Sequence, residues 1–442
     1  MEQAWFEELS EFVRIPSVSA DPERAGDVRR AGEWVRDFVR AAGGEAELRD
    51  WAGQPLALGE LPASSGRSAA PTVLCYGHFD VQPPAPLELW ESEPFEPTLR
   101  DGRLYARGIA DDKGQLYLLL KAAEELSREG ALPVNLRVCC DGEEETGGHS
   151  IVDFLAADDR GADACVIFDS SMLRPGVPLF NLSTRGLVYF HLRVQTGERD
   201  LHSGLFGGAA LNALHALLQS LHGVLPREGR LPEPLRAGIA APTGEELQGW
   251  AELTPGAEEL AAQGARPADE QAAGAFYPRT WAEPAVDVNG IEGGSPRLQK
   301  TVLPVEAVAN FSVRLAPGQD PEQIAAEVER LVREAAPAGA ELELTRLSSA
   351  PPGLVEPDSA AVRLGLEAFE RALGVRPLLV RSGGTLPIVP ALAEKGIPTI
   401  LTGFALPDSN IHSPNENLLE EYVPLGVRAA RELFTSFGAL GS

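Results

Sequence analysis

His78, Asp111, Glu145, Asp169 and His412 are residue types that hold divalent cations, and each stands at a predicted strand end or in a tight turn. The strongest segments are Gly77-His78-Phe79-Asp80, Ala110-Asp111-Asp112-Lys113-Gly114 and Glu143-Glu144-Glu145-Thr146-Gly147. A strand of Val, Leu and Cys that stops on His-x-Asp or Glu-Glu is unusual. Carboxylates and imidazoles are costly beside a core unless they are paired or bind a cation. The chemistry this set could perform is hydrolysis at a two-metal centre. Cations about 3.5–4 Å apart generate a hydroxide and clamp both oxygens of a tetrahedral intermediate. Oxygen and imidazole ligands fit zinc, and also manganese or cobalt.

The local spacing supports distinct roles. His78 and Asp80 are two apart, so at strand period they point the same way. One can ligate while the other accepts the second ring N–H and fixes the tautomer. A carboxylate in the Asp111-Asp112 turn has two oxygens and can bridge two cations. Glu144 and Glu145 diverge in a loop, so one can bind metal while the other faces a bound water. Taken singly, a strand-end His or Asp is more often a cap or turn residue. Glu143–Glu145 alone could be a helix N-terminus favoured by the macrodipole. Their joint order, with Gly at each turn, weighs against those readings.

The elements that must position these residues read as α/β. Helices are expected at Gln3–Arg14, Gly26–Ala42 and Gly114–Arg128, with apolar strands at Pro71–Tyr76 and Leu132–Cys140. Strand, helix and strand at this spacing is the βαβ signature of a parallel sheet. In an open α/β sheet the strand ends converge on one crevice. From about Leu182 the texture changes to alternating strands, Gly186–Thr196, Val305–Leu315 and Ala340–Leu347, with helices at Leu211–Leu225 and Pro321–Ala335. Residues 226–285 are rich in Pro, Gly, Glu and Ala with weak periodicity. After Pro351-Pro352 the parallel texture resumes: a helix at Ser359–Leu373 and strands at Leu378–Val380 and Pro398–Thr402. The expectation is a mostly parallel-sheet catalytic domain, residues 1–183 and 351–442, interrupted by an inserted α+β lid or dimerisation domain, 184–350.

At 442 residues, 44% of them hydrophobic, two packed domains are the default. A net charge of −27 argues against nucleic acid and anionic membranes as partners. No run approaches the roughly 18 apolar residues of a membrane span. The acidic start, Met1 to Glu8, lacks a signal-peptide pattern, which points to the cytoplasm. Cys75, Cys139, Cys140 and Cys165 lie in apolar runs without CxxC spacing and read as reduced core residues.

The order Gly-His-x-Asp, Arg-Gly-x-x-Asp-Asp-Lys-Gly, acid-Gly-x-Glu-Glu-x-Gly, strand-Asp and a late His resembles the dinuclear zinc metallopeptidase family. That family includes carnosinases, cytosolic nonspecific dipeptidases, aminoacylases, acetylornithine deacetylase and succinyl-diaminopimelate desuccinylase. The likeness runs from Ile15-Pro16-Ser17-Val18-Ser19 to His412. It implies that His78 and Asp169 hold one metal, Glu145 and His412 the other, and that Asp111 bridges them, with a cis bond to Asp112. Asp80 would orient His78. Glu144 would be the base that activates the bridging hydroxide and returns the proton to the leaving amine.

The likeness also reaches the inserted domain. His202, in Asp200-Leu201-His202-Ser203-Gly204, matches a histidine that in the dipeptidase branch enters the partner subunit's site and stabilises the oxyanion. Thr301 and Arg314 match positions that bind the substrate's carboxylate end, and Arg381, Gly384 and Thr385 a Gly-rich substrate loop. Ala106, Asp141 and Gly148 depart from common family residues without touching a proposed ligand, and Thr385 stands where a Ser is common, which keeps a hydroxyl but can change side-chain bonding to the substrate. The implied activity is hydrolysis of dipeptides or short peptides by a homodimer joined through the inserted domain. The alternative is an amidohydrolase acting on N-acyl amino acids. A serine hydrolase is disfavoured, because no Gly-x-Ser-x-Gly elbow occurs.

Overall fold

The βαβ reading of the first third holds. In a computed structural model, which describes residues 1–64, 70–383 and 386–440, the strand Thr72–His78 leads through the helix Lys113–Arg128 to the strand Asn135–Asp141, and the two strands pair in parallel. Apolar side chains fill the interior of all three. Along the helix from Leu116 to Leu120 every residue is buried.

These strands belong to an eight-stranded sheet in the order Glu45–Trp51, Gln54–Leu61, Asn135–Asp141, Thr72–His78, Ala164–Phe168, Thr399–Thr402, Leu179–Asn181, Leu378–Val380. Its middle is parallel: Thr72–His78 pairs with Asn135–Asp141 and Ala164–Phe168, which pairs with Thr399–Thr402. The first two strands form an antiparallel hairpin that the periodicity did not announce. Its turn, Ala52-Gly53, has φ values of 50° and 90°, the left-handed pair that a two-residue hairpin needs. With Ala in place of the usual Asn or Asp, the turn carries a weak sequence signal.

The chain divides into two compact units. One comprises Met1–Leu182, Val355–Val380 and Pro387–Ser442; the other comprises Ser183–Leu354 with Arg381–Leu386. The first is the α/β unit expected. The second has a four-stranded antiparallel sheet, in the order Ala285–Glu292, Glu306–Leu315, Gly186–Gln195, Glu341–Ala350. The alternation read in Gly186–Thr196 appears as strict alternation of buried and half-buried residues. Helices Ala213–His222 and Pro321–Ala335 pack Leu217, Leu221, Ile324 and Val328 onto the buried face. The stretch 226–285 resolves into short helices, among them Gly244–Trp250, which opens with a Thr243/Glu246 capping box.

All four cysteines are buried and unpaired, as read. Among the described residues no helix is long and apolar enough to cross a membrane.

Gly114 shows how tightly the fold grips the Asp111 turn. A Cβ there would lie 1.9 Å from the Ile109 carbonyl oxygen, so the helix start leaves room only for glycine. Gly114→Ala is therefore expected to displace the turn and cost about 1–3 kcal/mol or more as overpacking. Denaturant unfolding measures the cost. Zinc titration should show weakened binding while far-UV dichroism stays near native.

Candidate metal centre

The central parallel strands end at or just before residues of the cluster in three cases. His78 closes its strand, and its register partner Asp141 closes the next. Asp169 follows Phe168, and Glu143–Glu145 follow Asp141 in a tight 3₁₀ turn, Glu144–Thr146. Ser17 supports the His78 strand end from the N-terminal segment. Its hydroxyl donates to the Phe79 carbonyl at 2.5 Å, and its own carbonyl accepts from Val81 N–H at 2.9 Å.

The side chains converge. His78 Nε2 lies 3.0 Å from Asp111 Oδ1 and 3.9 Å from Asp169 Oδ2. Its other nitrogen, Nδ1, lies 3.1 Å from the Asp80 carbonyl and 3.3 Å from Asp80 Oδ1. The Asp80 carboxylate also accepts the backbone N–H groups of Glu144 at 3.2 Å and Glu145 at 3.1 Å. Asp80 thus orients the imidazole and pins the glutamate turn beneath it. His412, held at φ 60° in an exposed loop, places Nε2 2.9 Å from Asp111 Oδ2 and 3.1 Å from Glu145 Oε2. Gln82 donates to Glu145 Oε2 at 2.8 Å.

Two groups of potential ligands result: His78, Asp111 and Asp169, and Asp111, Glu145 and His412. Asp111 belongs to both, one oxygen toward each histidine. The peptide bond from Asp111 to Asp112 is cis. Glu144 is a member of neither group, although its backbone N–H shares Asp80 with that of Glu145.

These residues fit divalent cations. Glu145 Oε1 is buried without a hydrogen-bond partner among the described residues, which is costly unless something polar meets it. Burial, with the negative charges of Asp111 and Glu145, pushes Asp169 up to about 7 against the opposing pull of His78. Burial likewise pushes Glu144 up to about 8, helped by Asp169, Glu145 and Asp111 and opposed by His78. Hydrogen bonds to Asp111 and Glu145 raise His412 to about 10. Burial works against the Asp111 carboxylate, but the hydrogen bonds from His412 and His78 prevail and hold it below its ordinary range. Without a cation, then, the cluster compensates its carboxylates with protons.

The other residues singled out lie on the second unit. Strands Leu201–His202 and Val302–Leu303 pair, which brings His202 beside Thr301. Ser203 donates to the Thr301 carbonyl through its backbone N–H at 3.0 Å and its hydroxyl at 2.8 Å. His202 is exposed, and its Nδ1 accepts from Gly204 N–H at 3.0 Å, so the neutral ring carries its proton on Nε2. Arg314 is half-buried on the central strand Glu306–Leu315, opposite Leu187 and Ala285.

Arg381, expected in a substrate-lining loop, turns its side chain into the second unit. Its guanidinium is buried against Glu246, with Nε 2.6 Å from Oε1, and donates to the Ala240 and Ala241 carbonyls. It anchors its segment within the second unit and offers no fork to a substrate. That pairing also explains why Arg381–Leu386 joins this unit and not the catalytic part expected from residue 351 onward. Gly384 and Thr385 lie outside the described residues.

Sequence reasoning missed the supports: Gln82, Gln115, and Glu416 at the end of the Asn410–Glu416 segment. Nothing local distinguishes a buried glutamate or glutamine from the many on the surface. A groove of about 640 Å³ runs along the hairpin edge of the sheet, but no cluster residue lines it. Its residues Arg49, Arg137 and Arg160 are already paired with Glu47, Asp158 and Glu60.

Two ligand groups sharing one aspartate, set at the carboxyl edge of a parallel sheet beside an uncommitted acid, define a dinuclear metal-dependent hydrolase. The comparisons agree. The model of peptidase family M20/M25/M40 matches residues 74–436, and the chain belongs to that family. It is 32% identical to the Cys-Gly metallodipeptidase dug1 of Schizosaccharomyces pombe, over 93% of this chain and 90% of that one. It is 28% identical to the cysteinylglycine-S-conjugate dipeptidase of Corynebacterium striatum, over 98% and 95%. Among solved structures, the M20 family metallo-carboxypeptidase Sso-CP2 of Sulfolobus solfataricus superposes with a TM-score of 0.83 at 26% identity, covering 100% of both chains.

The protonated cluster predicts a proton signal. Asp169 and His412, at about 7 and 10, must each lose a proton to ligate, so binding near neutral pH should release protons and weaken as pH falls from 8 to 6. Titration of metal-free protein with zinc chloride in weak buffer checks it. Uptake without acidification would contradict the cluster's protonation.

Proposed function

We propose that the protein is a metallodipeptidase that hydrolyses the peptide bond of dipeptides or very short peptides. The observation that carries this is the complete pair of ligand groups sharing Asp111, with Glu144 beside them and bound into neither. His78 and Asp169 hold one divalent cation, Glu145 and His412 the other, and Asp111 both. Zinc suits this donor set, as do manganese and cobalt. Two such cations supply Lewis-acid polarisation of the scissile carbonyl and make water acidic enough to attack near neutral pH.

The chain's own residues do the rest. Glu144 takes the proton of the attacking water and delivers it to the leaving amine nitrogen. Burial brings its protonated form within reach near neutral pH, which suits a group that must accept a proton and return it. Asp80 keeps the His78 ring in the ligating tautomer and the Glu144 turn in register. His202 donates from Nε2 to the developing oxyanion, a contact worth on the order of 3 kcal/mol. Thr301 and Arg314 receive the substrate's terminal carboxylate, for which the planar guanidinium fork is suited.

His202 acts from the partner subunit of a homodimer joined through the second unit. The exposed apolar side chains Leu205, Phe206 and Val302 on this unit, near His202 in sequence or pairing, support that assignment. The four unpaired thiols suit a reducing compartment such as the cytoplasm. The dipeptide preference draws support from the dipeptidase relatives, which match nearly their whole length.

The direct test is turnover of defined Zn-, Mn- and Co-loaded protein on dipeptides against N-acetyl and N-succinyl amino acids. Cleavage of acylated amino acids alone would replace the peptidase reading. Glu144→Gln should keep both metals and lose about 10²–10⁴ in kcat; near-normal turnover would remove Glu144 from its role. Mixed dimers of His202→Ala and Glu144→Ala subunits test the shared site. One active site survives if His202 acts across the dimer, and none if it acts within its own chain.

A further inference from the structure

Asp111 has to present one oxygen to each ligand group, so the turn that carries it must be registered against two other segments at once. Glu416 is placed to do half of this. It is fully buried, four residues beyond His412. Its Oε1 accepts the N–H of Ala110 at 2.8 Å and of Asp111 at 3.0 Å. Its Oε2 accepts the N–H of Gly108 at 3.0 Å and the Arg107 guanidinium at 2.6 Å. Its backbone carbonyl accepts Ala106 N–H at 3.1 Å, and Arg107 donates onward to the Ser413 carbonyl at 3.3 Å.

A glutamate needed only as a counter-ion would be satisfied by Arg107. Here the carboxylate instead gathers consecutive N–H groups of the turn that bears the shared ligand, and charge-assisted bonds of this kind are strong and directional. On the other side of the same turn, Gln115 donates to the Ala110 carbonyl at 2.7 Å and to the Ser170 carbonyl, next to Asp169, at 3.1 Å. Its side-chain oxygen accepts Phe404 N–H at 2.6 Å. The turn is thus tied to the His412 segment through Glu416 and to the Asp169 segment through Gln115.

We infer that Glu416 is a positioning residue that registers the Asp111 turn against the His412 loop and so sets the Asp111–Glu145–His412 group more than the His78–Asp111–Asp169 group. This rests on the metal assignment proposed above. Glutamine is the informative replacement: its NH₂ would face N–H donors wherever it is turned, so one set of acceptor contacts is lost.

Equilibrium dialysis with zinc, on wild type and Glu416→Gln, reads the effect. Wild type should bind two ions. In Glu416→Gln one ion should stay within about threefold of its wild-type affinity while the other weakens about 10–100-fold, the range for groups that orient ligands. In a His412→Ala background, Glu416→Gln should add almost nothing, because both act on the same ion. Two ions at wild-type affinity, equal weakening of both, or an additive effect with His412→Ala would overturn the inference. Fewer than two ions in wild type would instead overturn the metal assignment. Amide exchange in the metal-free wild type gives a reading that needs no variant: the Ala110 and Asp111 amides should be protected, and exchange at the rate of free turn amides would overturn the role.

Discussion

Uncompensated negative charge at the carboxyl edge of the sheet is the constraint on which the rest depends. Asp80, Asp111, Asp112, Glu144, Glu145 and Asp169 crowd around only two imidazoles, and most of these acids are withdrawn from water. Isolated carboxylates in such a place are costly, so each must find a proton, a cation or N–H donors. Lys113, the cation nearest in sequence, turns away and gives its ammonium to the carbonyls of Phe12 and Ile15. Backbone N–H groups meet both oxygens of Asp80 but only one oxygen each of Asp112 and Asp141, whose other oxygens stay buried without a partner among the described residues. A further deficit sits on the acids that face His78 and His412. There a pair of divalent cations matches both the charge and the donor types.

The parallel topology is what can bring that charge to one edge. Strands that run the same way end on the same side, so each adds its terminal acid or histidine to a common crevice. Close approach of the connecting loops then depends on small residues. A Cβ at Gly77 would lie 2.7 Å from Asp112 Oδ2, and one at Gly403 would lie 1.9 Å from the Ser170 carbonyl. Glycine at both positions lets the loops close, and Glu416 and Gln115 then hold them by their backbone groups.

Much of this was legible in the residues because it is local. Gly-His-x-Asp ending an apolar strand and an Asp-Asp turn before a Leu-rich helix are signatures a short window contains, and the structure places them where the periodicity puts them. The misses share a different cause. The Glu45–Leu61 hairpin turns on Ala-Gly, whose conformation is read only once the strands are paired. Arg381 reads as part of a Gly-rich substrate loop, but its guanidinium pairs with Glu246, far away in sequence. Glu416 reads as one acid among 65.

By itself, then, the sequence determined the α/β class, the change of texture near Leu182, the cysteines as core thiols and the inventory of acids and histidines. All of these follow from side-chain type and short-range periodicity. The family resemblance implied which candidate ligands pair, and the tertiary structure brought their atoms together: His412 with Glu145 and Asp111, His78 with Asp169 and Asp111. It also decided which of many polar residues are buried in support. Those outcomes depend on strand order and on loops meeting across long stretches of chain, where the cost of burying charge selects the partners and no local pattern records the choice.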